Sequence, residues 1–198
     1  MAEIRGSHSP WRKRGGVIAG GVKFLALVAL PFYLLDQLTK WWVHTHYALQ
    51  PTQREIPPLI MDAVMKTVGR PVKTEVIPGW FDIVYHANTG AAFSIGTGKN
   101  TYFVVLSIVA FVGLLFAWKK NVFPDRFSQW GVALILSGIM GNVTDRLIHG
   151  YVIDFISVDL HVRYANPWPT FNVADSCIFI AAALFIIAGI RDARKPKA

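Results

Sequence analysis

Cysteine is almost missing from this chain. Cys177 is the only one and sits in an apolar run, so there is no internal disulfide and no thiol metal site of the usual kind. Charge is scarce as well: 16% of the 198 residues are charged against 53% hydrophobic, a balance that a soluble domain of this length rarely shows. Acid is scarcer than base, 12 residues against 20, for a net charge of +8. Such an excess can signal nucleic acid, but that needs a basic face on a water-soluble fold. Here the basic residues gather at the chain ends and in one short loop, so no nucleic-acid partner is expected.

What the chain has instead is long apolar runs. Crossing a hydrocarbon layer of about 30 Å takes roughly 20 apolar residues at 1.5 Å each. Four runs qualify, at about 20–42, 101–118, 130–148 and 173–190. Trp41, Trp42, Tyr102, Trp118 and Trp130 stand at their ends, as interfacial aromatics do. Lys23 is close enough to an end to snorkel, and Pro31 is a candidate kink. The length of the first run and its Asp36 argue for a retained span rather than a cleavable leader.

Basic residues close to a span resist translocation. Arg5, Arg12, Lys13 and Arg14 precede the first run; Lys119, Lys120 and Arg126 fill the short second connection; Arg191, Arg194, Lys195 and Lys197 follow the last. Both termini are therefore expected in the cytoplasm, with 43–100 and 149–172 outside it, in one integral membrane domain over 1–198. Within the outer segments, Trp80–Asn88 and Tyr151–Tyr164 are rich in β-branched and aromatic residues and predict a small antiparallel sheet. Leu59–Arg70 carries an apolar helical face suited to the membrane interface, although an ordinary surface helix fits it equally. The expected class is a mainly α membrane protein with four transmembrane helices, a small extracytoplasmic sheet and an interfacial helix.

Polar groups at membrane depth are costly and mark function or tight pairing. They gather on the outer side: Asp36 and Lys40 at i, i+4 in the first span; Asn142, Asp145 and Arg146 ending the third; Asp154 after it; Asn172 and Asp175 opening the fourth. Each has a structural reading. Asp36 and Lys40 suit an ion pair, Asn142, Asp145 and Arg146 a bracing network, and Asn172 with Asp175 a capping box. Ser137 and Gly141 form a small-xxx-small pair for close helix packing. Taken together, two carboxylates in a poorly hydrated pocket cannot both ionise cheaply, which makes one an acid and the other a base. His149 and His161 lack the spacing of a helical zinc pair, so no metal and no cofactor are expected. Spacing alone leaves open a protease, a proton or ion pathway through the aspartates, a serine–lysine peptidase using Ser94 or Ser176 with Lys40 or Lys99, and a passive scaffold.

The strings "DQLTK" (Asp36–Lys40), "NTGAAFS" (Asn88–Ser94), "GNVTDR" (Gly141–Arg146), "GYVIDFI" (Gly150–Ile156) and "FNVADS" (Phe171–Ser176) resemble, in this order, the motifs of bacterial lipoprotein signal peptidase, or signal peptidase II. The resemblance implies an intramembrane aspartic endopeptidase of the bacterial cytoplasmic (inner) membrane. Such an enzyme cuts prolipoproteins before a diacylglyceryl-modified cysteine, with its active site toward the extracytoplasmic face. It implies Asp154 and Asp175 as catalytic residues, Asn88, Asn142, Arg146 and Asn172 as pocket residues, and Asp36, Lys40 and Asp145 as polar support. Asn88 or a backbone N–H would steady the oxyanion. Globomycin-type inhibitors and membrane lipids are implied as further partners, and a monomer is expected. Ser137 stands where the family often has glycine, and the outer connection carries extra sequence around Pro57–Val76.

Overall fold

The computed structural model describes residues 14–47, 73–90, 99–162 and 168–194, with the side chains of the first helix described from Gly21 onward. Its helices are α1 (Arg14–Tyr47), α2 (Asn100–Lys119), α3 (Arg126–Ile148) and α4 (Val173–Ala193). All four contain a stretch long and apolar enough to cross a membrane. Each contains its predicted span, and α1 runs on past Trp42 to Tyr47. Hydropathy marks where hydrocarbon ends, whereas a helix continues until its backbone groups find other partners. The helical assignment of α1 passes through Pro31. The Leu59–Arg70 segment lies outside the described residues.

Contacts between helix ends set an alternating course. Ala174 N, at the start of α4, donates to Asp36 in the second half of α1 at 2.8 Å. Asn100, opening α2, donates to the Arg146 carbonyl near the end of α3 at 3.1 Å. At the opposite end Phe24 stacks on Trp118, and Phe185 lies against Gly131. One end of the bundle thus gathers the polar helix termini, and the other carries an apolar core of Leu25, Val28, Val132, Ala133 and Leu136.

Between apolar helices in lipid, close packing replaces the hydrophobic effect, and small residues permit it. A Cβ on Gly138 would lie 2.6 Å from the Ala174 carbonyl oxygen and from Ile178, and one on Gly141 would run into the Asp36 carboxylate and Ala174. The pair responsible for the α3–α4 approach is therefore Gly138 and Gly141, with Ser137 buried beside them.

The sheet is antiparallel in the order β1 (Lys73–Ile77), β2 (Phe81–Asn88), β3 (Val152–Val158). It caps the polar end of the bundle, where Val43 and Tyr47 of α1 pack with Tyr151, Ile153 and Phe155. The strands expected in Trp80–Asn88 and Tyr151–Tyr164 are present, but the second stops at Val158. There Asp159 Oδ1 accepts from His161 N at 2.8 Å and His161 turns to φ 54°, which breaks the extended run. β1 begins within the extra sequence around Pro57–Val76, where no strand is expected from the sequence, and runs to Ile77.

Two irregularities position the site. Ile83 pairs with Ile156, but His86 pairs with Asp154, so β2 carries one extra residue as a bulge. Because strand side chains alternate, one extra residue reverses the face of everything after it. Asn88 consequently falls on the same face as Val152 and Asp154. On the other edge of β3, Ile156 bridges to Phe171, which delivers Asn172 beside Asp154 at the mouth of α4.

Candidate active site

Asn172 caps α4 in a capping box, as its spacing from Asp175 predicts: Asn172 Oδ1 accepts from Asp175 N at 2.9 Å, and Asp175 Oδ2 accepts from Asn172 N at 3.2 Å. The cap leaves the Asn172 amide free to turn outward, and its Nδ2 donates to Asp154 Oδ1 at 2.8 Å. One residue therefore holds both carboxyl groups. Asn88 Nδ2 donates to the other Asp154 oxygen at 2.9 Å, and Asn142 Nδ2 to Asp175 Oδ1 at 2.8 Å. All four carboxyl oxygens accept an N–H while keeping lone pairs for water or a proton. Asn88 is thereby drawn to Asp154, which differs from the oxyanion role considered for it from sequence.

Asp154 is 1% exposed, whereas Asp175 is half-buried. Burial, and then the neighbouring Asp175 charge, push the Asp154 carboxyl from its ordinary 3.8 up to about 7, against the hydrogen bonds from Asn88 and Asn172. A carboxylic acid able to keep its proton near neutrality thus stands beside a second carboxyl group that sits in the first turn of a helix, where the dipole favours negative charge.

Behind this pair, Lys40 is buried at 1% exposure. Its Nζ reaches Asp36 Oδ2 at 2.8 Å, Asp145 Oδ2 at 3.0 Å and Asn142 Oδ1 at 3.0 Å, one acceptor for each of its three protons. Lys40 fixes which way Asn142 faces: its oxygen must meet the ammonium, so its amide N–H meets Asp175. Asp145 also accepts from Ile153 N at 3.0 Å, which ties β3 to α3. Gly150, at φ 82°, makes the reversal between them. Arg146 NH2 donates to the Gly90 carbonyl at 2.9 Å, and its guanidinium lies over the Phe103 ring.

A cavity of about 1000 Å³ opens in front of the carboxyl groups. Asp154, Asp175, Asn88, Asn142 and Arg146 line its polar end, and Ile139, Ile178, Phe179 and Ile180 line an apolar wall running between α3 and α4. All nine residues singled out from sequence lie in this cavity or in the network behind it. Sequence reasoning missed several others. Gln37 donates to Asp36, Asp145 and the Gly141 carbonyl, each at 3.2 Å; an amide inside an apolar span was the available signal. His86 also lines the cavity and bonds Thr170 at 2.9 Å, with its imidazole pulled below the ordinary value by burial. Only the β2 bulge puts His86 there.

The rival readings fare poorly. Ser176 Oγ donates to the Asn172 carbonyl at 3.0 Å, and Lys40 Nζ is taken up by Asp36, Asp145 and Asn142 rather than by a serine. Ser94 lies outside the described residues. A relay needs polar groups along the whole crossing, but the buried cluster of Leu25, Val28, Val132, Ala133 and Leu136 in the far half of the bundle offers none.

Similarity to known proteins agrees with this geometry. The family model for signal peptidase (SPase) II matches residues 28–191. Lipoprotein signal peptidases of Staphylococcus aureus strains JH9 and Newman are each 36% identical over 123 residues, 62% of this chain and 74% of theirs. One solved bacterial membrane enzyme superposes with a TM-score of 0.67 at 28% identity, covering 91% of this chain and 94% of its own. A second gives 0.62 at 29% identity, covering 88% and 95%.

Proposed function

The chain belongs to the signal peptidase II family of proteases, and with removal of lipoprotein signal peptides as its reaction we propose that Asp154 and Asp175 are the catalytic pair. The observation that carries this assignment is Asn172, which bonds Asp154 through its side chain and Asp175 through its cap.

The pair starts with one proton, on Asp154. Asp175 takes a proton from a water held between the carboxyl groups as that water attacks the scissile carbonyl carbon, and Asp154 gives its proton to the carbonyl oxygen. The gem-diol then collapses: Asp154 recovers a proton from one hydroxyl, the C–N bond breaks, and Asp175 passes its proton to the leaving amine. Asn88, Asn142 and Asn172 hold the carboxyl groups in register, and the ion pairs of Lys40 with Asp36 and Asp145 brace Asn142. Arg146 secures the Gly90 turn at the cavity wall.

The substrate is a prolipoprotein whose diacylglyceryl chains lie along the apolar wall of Ile139, Ile178 and Phe179, with the scissile bond before the lipidated cysteine. Inhibitors of the globomycin type occupy the same cavity. The multi-pass chain sits in the bacterial cytoplasmic membrane as a monomer, with both termini inside. The carboxyl pair and the sheet face outward, in keeping with the basic residues at the other end of the bundle.

The test is Asp154→Asn and Asp175→Asn, made separately and assayed with a diacylglyceryl-modified peptide in detergent. Each should lower turnover by about 10²-fold or more. Near wild-type turnover in either variant refutes the pair.

A further inference from the structure

A second cavity, of about 410 Å³, lies between α1, α3 and α4 toward the end of the bundle remote from the carboxyl pair. Phe32, Phe127, Trp130, Leu134 and Leu184 form its walls, Ile180 separates it from the larger cavity, and Arg126 is its one charged lining residue. Arg191 adds a second cation: its guanidinium carbon is 4.9 Å from the centre of the Phe127 ring. Neither arginine forms an ion pair among the described residues. Asp125, next to Arg126, is committed to capping α3, with Oδ1 accepting from Ser128 N at 3.0 Å and Oδ2 meeting the Ser128 hydroxyl. Among the described residues this end carries Lys119, Lys120, Arg126, Arg191 and Arg194 against the two acids Asp125 and Asp192. The N-terminus of α3 opens here as well, adding its positive dipole end.

An apolar slot at membrane depth, topped by two cations that form no ion pair among the described residues, matches an acyl chain below a phosphate. We propose that this groove binds one anionic glycerophospholipid of the leaflet opposite the catalytic pair. An acyl chain lies along Phe32, Leu134 and Leu184, and the phosphate meets Arg126 and Arg191. Arginine is suited to the role because its planar fork meets phosphate oxygens two at a time and stacks on aromatic rings. Basic sites between membrane helices hold acidic headgroups in the same way. Phe127 serves both ligand parts, as a wall of the slot and as the platform that orients Arg191.

The experiment uses the full chain, exchanged into detergent from vesicles containing equal amounts of palmitoyl-oleoyl phosphatidylglycerol and phosphatidylcholine, with retained lipid read by native mass spectrometry. Wild type should retain one phosphatidylglycerol, preferred about tenfold over phosphatidylcholine. Arg126→Gln combined with Arg191→Gln should abolish the preference, and both positions are exposed and outside the buried core. Leu184→Trp should fill the slot and release the lipid with both cations intact. Equal retention of the two lipids by wild type overturns the proposal. So does a preference that survives the double arginine variant, or one that survives Leu184→Trp, which would mean diffuse surface attraction. A second copy of the chain occupying the groove, seen as a dimer without bound lipid, overturns it too.

Discussion

Asn172 stands 2.8 Å from Asp154 through its amide while its own oxygen caps the helix that carries Asp175. Cap and carboxyl alignment are thus two functions of one side chain, and substitution can separate them. Asn172→Ser keeps an N-cap oxygen but is too short to reach Asp154, whereas Asn172→Ala loses both. Thermal unfolding in detergent should show the alanine variant less stable by about 1 kcal/mol and the serine variant near wild type. Peptide cleavage should be impaired in both. Full activity in Asn172→Ser would show that the contact with Asp154 is unimportant.

The raised Asp154 carboxyl sets a pH dependence. In the proposed mechanism its proton activates the carbonyl, so kcat should fall as pH rises through about 7. Stability carries the same sign. Between the ordinary value near 3.8 and about 7, the folded protein keeps a proton that the unfolded chain has released. Asp154 therefore favours the folded state at the acid end of that window, and the contribution is lost as pH rises through it. Melting temperatures measured across the window should decline less in Asp154→Asn than in wild type; identical slopes would contradict the shift.

Lys40 holds two buried carboxylates and the oxygen of Asn142. In Lys40→Met those acids lose their cation, and the cost should be about 3–5 kcal/mol. Lys40→Arg should not restore the protein, because a planar guanidinium cannot point three donors at acceptors arranged around a compact ammonium. Guanidinium-free thermal denaturation of the purified variants measures both effects.

Gly141 has no room for a methyl group between Asp36 and Ala174, while Gly113 has nothing within 4 Å of where a Cβ would stand. Gly141→Ala should cost about 1–3 kcal/mol through overpacking and reduce activity by shifting the start of α4. Gly113→Ala should leave activity unchanged. Matching behaviour of the two variants would remove the case for a packing constraint at Gly141.

The legible parts of the protein are those encoded locally. Apolar runs gave the spans, because crossing length depends only on consecutive residues. The Asn172–Asp175 spacing gave the capping box, and Asp36–Lys40 gave the ion pair, because partners three or four positions apart on a helix meet whatever surrounds them. The β1 strand was not legible: Lys73–Ile77 is exposed along its whole length and has no buried face to imprint a pattern. His86 was hidden for another reason. Its facing depends on a bulge that appears only when β2 is laid against β3.

From sequence alone come the four crossings, the set of polar residues and their order along the chain, since the cost of polar groups in hydrocarbon acts position by position. Tertiary structure decided their chemistry. Asp154 and Asp175 meet only because β3 and the α4 cap are brought to one cavity, where burial and the neighbouring Asp175 charge raise the Asp154 carboxyl, and the proposed acid and base roles rest on that meeting. Lys40 becomes a brace only because α3 supplies two of its three acceptors from more than 100 positions away. Desolvation and Coulomb interaction act through space, so pairings of this kind are settled only when the helices pack.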